Sequence, residues 1–152
     1  MCGIAGIVGR VSSSDRNVLE LMNTIQSYRG PDRDKVCEYD GAVLGHRRLS
    51  IIDLDDRASQ PMKSNDKRYV IVYNGEIYNY KELKTELKNQ YDFKTESDTE
   101  VLLAAYISWG YDCLFKFIGM FSFCIYDIVK QEAFLARDYF GQKPLFYYEN
   151  KD

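Results

Sequence analysis

Segments with strand character crowd both ends of this 152-residue chain, and two well-marked helix starts stand together between them. The opening GIAGIV has the small and β-branched make-up of a buried strand. Ser12 to Asp15 then offer turn and cap residues before a helical stretch over 17–26, which Gly30 and Pro31 cannot continue. A strand-rich section is expected over 36–53, a polar loop over 53–67, and a strand over 68–73. That strand ends at Asn74-Gly75, a dipeptide that suits a type I′ hairpin turn. Asn79 to Glu82 and Ser97 to Glu100 both have capping-box spacing, predicting helices to about Lys88 and over 101–109. Residues 121–126 and 133–136 read as paired strands around 127–131, and 144–148 as one more. This order lacks the steady alternation of a parallel doubly wound sheet. The expected class is therefore α+β, with antiparallel sheets covered by helices.

A chain of this length, 45% hydrophobic, fits one domain that buries roughly two thirds of its unfolded surface. Its 20 Lys and Arg are scattered among 23 acids for a net charge of -3, without the basic face that phosphate backbones select, so nucleic acid is not an expected partner. No apolar run approaches the roughly 18 residues of a membrane helix and no signal segment opens the chain, so the expected location is the cytoplasm, with no membrane partner. The cysteines at 2, 37, 113 and 124 form no CxxC pair, and the lone His46 has no companion at helical spacing, so no metal site is expected. Cys37, Cys113 and Cys124 read as small buried hydrophobes in a reducing compartment.

Cys2 differs by its position. Its small side chain permits removal of Met1, which leaves one residue carrying both a thiol and a free α-amine. With a model α-amine pKa of about 7.7–8.0, roughly a tenth of such amines are unprotonated at neutral pH and able to accept the thiol proton. General-base assistance then needs no histidine. Read alone, Cys2 would equally be the second residue of a buried first strand.

MCGIAGI, RGPD, GHRRLSIIDL, YNGEIYNY, SDTE and RDYFGQKPL occur in that order along nearly the whole chain. Together they resemble the glutaminase domain of glutamine-hydrolysing asparagine synthetases, which are class II amidotransferases. The RLSIID and NGEIYN wording is closer to these than to glucosamine-phosphate synthases or purine amidotransferases. The resemblance implies an N-terminal-nucleophile hydrolase fold, a four-layer α/β/β/α sandwich around two antiparallel sheets. It implies hydrolysis of glutamine to glutamate and ammonia through a Cys2 thioester.

The same resemblance assigns the site. Asn74 and Gly75 would form the oxyanion hole, Arg48 would clamp the glutamine carboxylate, and Asp98 would pair with its ammonium, aided by a backbone contact from Glu76. A guanidinium fork matches a carboxylate in two parallel bonds, and an acid in the first turn of a capped helix has a fixed direction. The stretch Arg48, Leu49, Ser50, Ile51 and Ile52 would line the glutamine pocket, although Leu49 and Ile51 equally suit a core. No cofactor is expected in this chain: ATP and Mg belong to a synthetase domain that the sequence does not contain, and that domain or subunit is the expected ammonia acceptor.

Two departures from the family pattern stand out. Tyr28 occupies the place where relatives commonly carry His before RGPD, with consequences expected for how that loop closes. Relatives also continue through further strands, so residues 1–152 are expected to form the amidotransferase domain without its last strands. Met1 and those missing strands keep a second reading open, a regulatory or binding module with the fold but not the activity. A third, a Cys2–His46 pair, is the weakest of the three.

Overall fold

The computed structural model of the chain describes residues 1–150. In chain order it forms β1 (Gly3–Val8), α1 (Ser13–Ile25), β2 (Arg33–Tyr39), β3 (Ala42–Arg48), β4 (Met62–Lys63), β5 (Tyr69–Ile77), α2 (Tyr80–Leu87), α3 (Asp98–Trp109), β6 (Gly119–Asp127) and β7 (Glu132–Arg137). Short 3-10 turns at Asp56–Ala58 and Gly110–Lys116 complete the order. The strands make two antiparallel sheets, one ordered β1-β3-β2 and the other β4-β5-β6-β7.

The layer order follows from the two-residue period of the strands. On one face of β3, Val43 packs with Leu19 of α1 and Ala5 of β1. On the other, Ala42 and Leu44 meet Val70 and Val72 of β5 and Cys124 and Tyr126 of β6. The opposite face of β5 turns Ile71 and Tyr73 toward Phe123, Ile125 and the α3 residues Val101, Leu102 and Leu103. Each sheet is thus buried on both sides, giving the expected α/β/β/α sandwich of α1, the β1-β3-β2 sheet, the β4-β5-β6-β7 sheet, and α2 with α3. Leu19 is fully buried and is the main apolar anchor of α1. Burying such a side chain contributes about 1.5–3 kcal/mol, and Leu19→Ala would cost about 2–5 kcal/mol by leaving a cavity beneath the helix.

Local hydrogen bonding moves several expected boundaries. Helix α1 starts at Ser13, ahead of the expected Asn17, because the Asp15 carboxylate accepts the Ser12 N–H at 2.7 Å. At α3 the Ser97 hydroxyl accepts the Glu100 N–H at 3.3 Å, but the Glu100 carboxylate turns away from the cap to accept the N–H groups of Lys94 (3.0 Å) and Thr95 (2.7 Å). The capping box expected at Asn79 does not form. The Asn79 amide donates to the Lys116 carbonyl at 2.9 Å and its oxygen accepts the Ile118 N–H at 3.0 Å, fixing the approach to β6 instead. Strand β3 stops at Arg48, five residues before the expected limit, and the expected loop over 53–67 contains the 3-10 turn and β4.

Asn74-Gly75 is not a hairpin turn. Strand β5 runs straight through it, with Asn74 opposite Ser122 and Gly75 opposite Phe121 on β6. Gly75 serves close approach: a Cβ there would lie 2.3 Å from the Met120 carbonyl oxygen and 2.7 Å from Phe121 Cα. Residues 144–148 are not a strand either and pair with none among the described residues. The Asp138 carboxylate accepts the N–H groups of Gln142 (2.8 Å) and Lys143 (3.0 Å), curling the chain into a turn that carries it off the sheet edge and leaves Phe146, Tyr147 and Tyr148 exposed. Aromatic strand propensity without a partner ladder does not make a strand. Among the described residues no helix is long and apolar enough to cross a membrane.

Candidate active site

Three chain segments converge where the two sheets meet the start of α3. Strand β1 begins just after Cys2, β3 ends on Arg48, and β5 carries Asn74, Gly75 and Glu76 past them. The RGPD loop joins the first two. Arg29 Nε donates to the Cys2 carbonyl at 3.0 Å, and the Asp32 N–H donates to the Arg48 carbonyl at 3.1 Å. Gly30 lies so close to β3 that a Cβ would fall 2.4 Å from the Arg47 carbonyl carbon. Only glycine lets this loop seat against the end of β3.

These elements enclose a cavity of about 110 Å³, against roughly 10–15 Å³ needed to seat one water. Nine of the ten residues expected at the site line it: Cys2, Arg48, Leu49, Ile51, Ile52, Asn74, Gly75, Glu76 and Asp98. Ser50 does not. Its N–H donates at 2.7 Å to the Asp32 carboxylate, so it ties the pocket loop to RGPD from behind. Ile51 is 69% exposed and sits at the mouth rather than in a core. Tyr28, 79% exposed, lies outside the lining. His46 is also outside it: its Nε2 lies 3.1 Å from the Tyr73 carbonyl, which leaves the Cys2–His46 pairing without geometry.

Opposite charges line the cavity. Arg48 is only 5% exposed, and its guanidinium donates to the Asp55 carbonyl at 3.0 Å, to the Asp53 carbonyl, and to the Ser59 hydroxyl at 3.5 Å. All three acceptors are neutral, and among the described residues the guanidinium makes no ion pair. Asp98 is 6% exposed and accepts the Tyr73 hydroxyl at 2.8 Å and the Ile77 N–H at 3.1 Å, both on Oδ2. Burial pushes its carboxyl above the usual range against these stabilising bonds. Each buried charge is therefore held in place by hydrogen bonds and makes no ion pair among the described residues.

The Leu49 N–H donates to Cys2 Sγ at 3.4 Å, and the thiol reaches back to the Leu49 carbonyl at 3.7 Å. Burial raises the thiol's pKa, while the Leu49 N–H, the terminal ammonium and Arg48 favour the thiolate. Burial also brings the His46 imidazole down to about 4, and the Arg48 charge adds to the effect. It is neutral at pH 7.

Eight lining residues lie outside the expected set, and three of them, Gln60, Tyr73 and Lys143, bear on the site's geometry. Gln60 accepts the Tyr73 N–H at 2.6 Å and donates to Thr99 Oγ1 at 3.2 Å, linking β5 to the first turn of α3. Tyr73 reads as one more aromatic strand residue, and only its hydroxyl contact with Asp98 distinguishes it. Lys143 lies in the quoted RDYFGQKPL segment, but nothing in its spacing says that it turns inward. Among the described residues no cluster of His, Cys, Asp or Glu is arranged to hold a metal ion.

The chain is similar to known proteins along nearly its whole length. The chain is 46% identical, over 99% of its length, to asparagine synthetase [glutamine-hydrolyzing] 2 of Bacillus subtilis (strain 168), of which it covers 20%. It is 40% identical over 97% of its length to the putative asparagine synthetase [glutamine-hydrolyzing] 2 of Methanocaldococcus jannaschii, of which it covers 32%. Asparagine synthetase B of Escherichia coli K12 is 38% identical over 96% of the chain, which covers 26% of that protein. The chain thus spans about a fifth to a third of these relatives. The model of the glutamine amidotransferase domain family matches residues 1–152, and the chain belongs to that family.

Proposed function

We propose that this domain hydrolyses glutamine to glutamate and ammonia, with Cys2 as nucleophile once Met1 is removed. The observation that carries the reading is that one cavity is lined by a thiol, a buried guanidinium and a buried carboxylate, neither charge ion-paired among the described residues. Free glutamine supplies both missing ions: its carboxylate for Arg48 and its ammonium for Asp98, with Glu76 beside it. That leaves the side-chain amide to face Cys2. Selection for both charges explains why an amide in a peptide would be a poor substrate.

The free-base α-amine of Cys2 takes the thiol proton as Sγ bonds to the amide carbon. Charge develops on the amide oxygen, for which Asn74 and the Gly75 N–H are the proposed donors; one such donor is typically worth about 2.7–4 kcal/mol. The carbon–nitrogen bond then breaks, the α-ammonium returns its proton, and ammonia leaves. Water attacks the thioester, releasing glutamate and restoring the thiol. This chain's part of the chemistry needs no cofactor.

The ammonia acceptor is then a synthetase domain or subunit of the kind named in the relatives, and the compartment the reducing cytoplasm, in keeping with four free cysteines. Glutamate release by the Met1-processed protein, beside Cys2→Ala and the Met1-retaining form, tests the reading. Hydrolysis should require both the thiol and the exposed amine. A Cys2→Ala protein that still releases glutamate would overturn it.

A further inference from the structure

We infer that Lys143 is a positioning residue for this chemistry: its buried ammonium stands beside the N-terminal residue and holds the Cys2 α-amine in its free-base form. The inference rests on the reading of Cys2 as nucleophile and adds to it the device that readies its base.

Lys143 is 5% exposed, lines the same cavity as Cys2, and makes no ion pair among the described residues. Its Nζ donates at 3.1 Å to the Met1 sulfur. Its backbone is fixed on both sides: the N–H donates to the Asp138 carboxylate at 3.0 Å and the carbonyl accepts from Arg137 Nε at 2.6 Å. A thioether is a weak acceptor, and a buried ammonium facing one is costly for stability alone. Removal of Met1 takes that acceptor away and places the new α-amine one peptide bond and one side chain from the same ammonium.

Those bonds bound the separation at about 10 Å. At an effective dielectric near 20, repulsion between two unit charges at that distance corresponds to about one pH unit. The sign is favourable. A fixed positive charge disfavours the α-ammonium, so the amine is a free base at lower pH, and the same charge favours the thiolate. The other groups facing Cys2 are Arg29 and Arg48, which act in the same direction, Asp98 and Glu76, which oppose it, and Tyr73, an uncharged phenol bonded to Asp98. Bound glutamine offsets Asp98 with its ammonium and Arg48 with its carboxylate, two opposed effects at Cys2, and leaves the charge of Lys143 unmatched.

The test is the pH profile of kcat/KM for glutamine hydrolysis by Met1-processed protein. Lys143→Met removes the charge at similar length and should move the acid limb upward by about one pH unit. That lowers the rate several-fold at pH 7 while the profiles converge above pH 9. Lys143→Arg should restore the wild-type limb. The pH dependence of Cys2 alkylation by iodoacetamide, which needs no glutamine, should shift the same way, and Lys143→Gln provides a second neutral variant should Lys143→Met not fold. A uniform loss at every pH, or an unmoved acid limb in the neutral variants, would overturn the inference. Cys2→Ala keeps the two readings apart, because hydrolysis surviving in that variant sinks the nucleophile whatever Lys143 does.

Discussion

Asp98→Asn separates ligand recognition from folding more cleanly than any other change in the cavity. The side chain is 6% exposed and keeps nearly the same volume as an amide, whose oxygen can still accept the Tyr73 hydroxyl or the Ile77 N–H. What is lost is the charge that the substrate ammonium would meet. A charge-assisted bond is worth about 1.5–3 kcal/mol, so KM for glutamine should rise about 10- to 150-fold. Folding should move the other way or stay level, since the variant no longer buries an anion without a counter-ion. Steady-state glutamate release gives the first quantity, and thermal melts with and without glutamine give the second. Glutamine at 100 times its wild-type Kd should stabilise the wild type by about 2.7 kcal/mol and Asp98→Asn by only about 0.3–1.4 kcal/mol. Because burial raises the carboxyl's pKa, acidification protonates it sooner than an exposed aspartate. Glutamine KM should therefore climb as pH falls in the wild type but not through this group in the variant. An unchanged KM, or a variant that melts far below the wild type, would refute the assignment.

Arg48→Ala should raise glutamine KM at least 10-fold and Arg48→Lys should not rescue it, because an ammonium cannot reproduce a fork that holds two loop carbonyls while meeting a carboxylate; equal KM values by the same assay would exclude the clamp. Stability measured by denaturant should fall by about 3 kcal/mol between pH 6.5 and 4, because the unfolded chain protonates His46 through that window while the folded one, with its imidazole down at about 4, does not. His46→Gln should flatten that part of the profile, and an unaltered slope would contradict the burial argument. Gly75→Ala should cost about 3 kcal/mol or more, since its Cβ would sit 2.3 Å from the Met120 carbonyl oxygen. Hydrogen exchange should locate the loosening where β5 pairs with β6, and full protection there would show that the strands yield more easily than the geometry allows.

Much of the fold was legible because it rests on period-two patterns such as Val70 to Tyr73, whose alternate residues face different layers. The α+β class with antiparallel strands and the three helices follow from local patterns and cap signals, whereas the division into two sheets is implied by the family resemblance. Asn74-Gly75 misled because the dipeptide suits a turn when read locally, and what demands glycine is the β6 backbone, a partner more than forty residues away. Residues 144–148 misled for the converse reason, having strand propensity but following a turn at Asp138 that carries them off the sheet edge. Nine of the ten expected site residues line one cavity, yet that expectation came from ordered motifs, not from periodicity. Gln60, Tyr73 and Lys143 were missed because their contributions are directions of side chains: a bond across to α3, a hydroxyl to Asp98, an ammonium turned inward.

The cavity also explains why its residues are a poor bargain for folding and a good one for binding. Arg48, Asp98 and Lys143 are each at least nine-tenths buried, and none makes an ion pair among the described residues. Chains selected for stability alone would pair such charges or replace them with apolar side chains. Here neutral carbonyls hold Arg48 and a phenol holds Asp98, so the orientation of both is set before any ligand arrives. A zwitterion that enters pairs with two of the three without reorganising the site, which keeps the ordering cost of binding low. The third charge remains unmatched, and it lies beside the N-terminal residue, where the proposed mechanism moves a proton. On the proposed reading two buried charges suffice to bind glutamine, and the third serves the chemistry that follows binding.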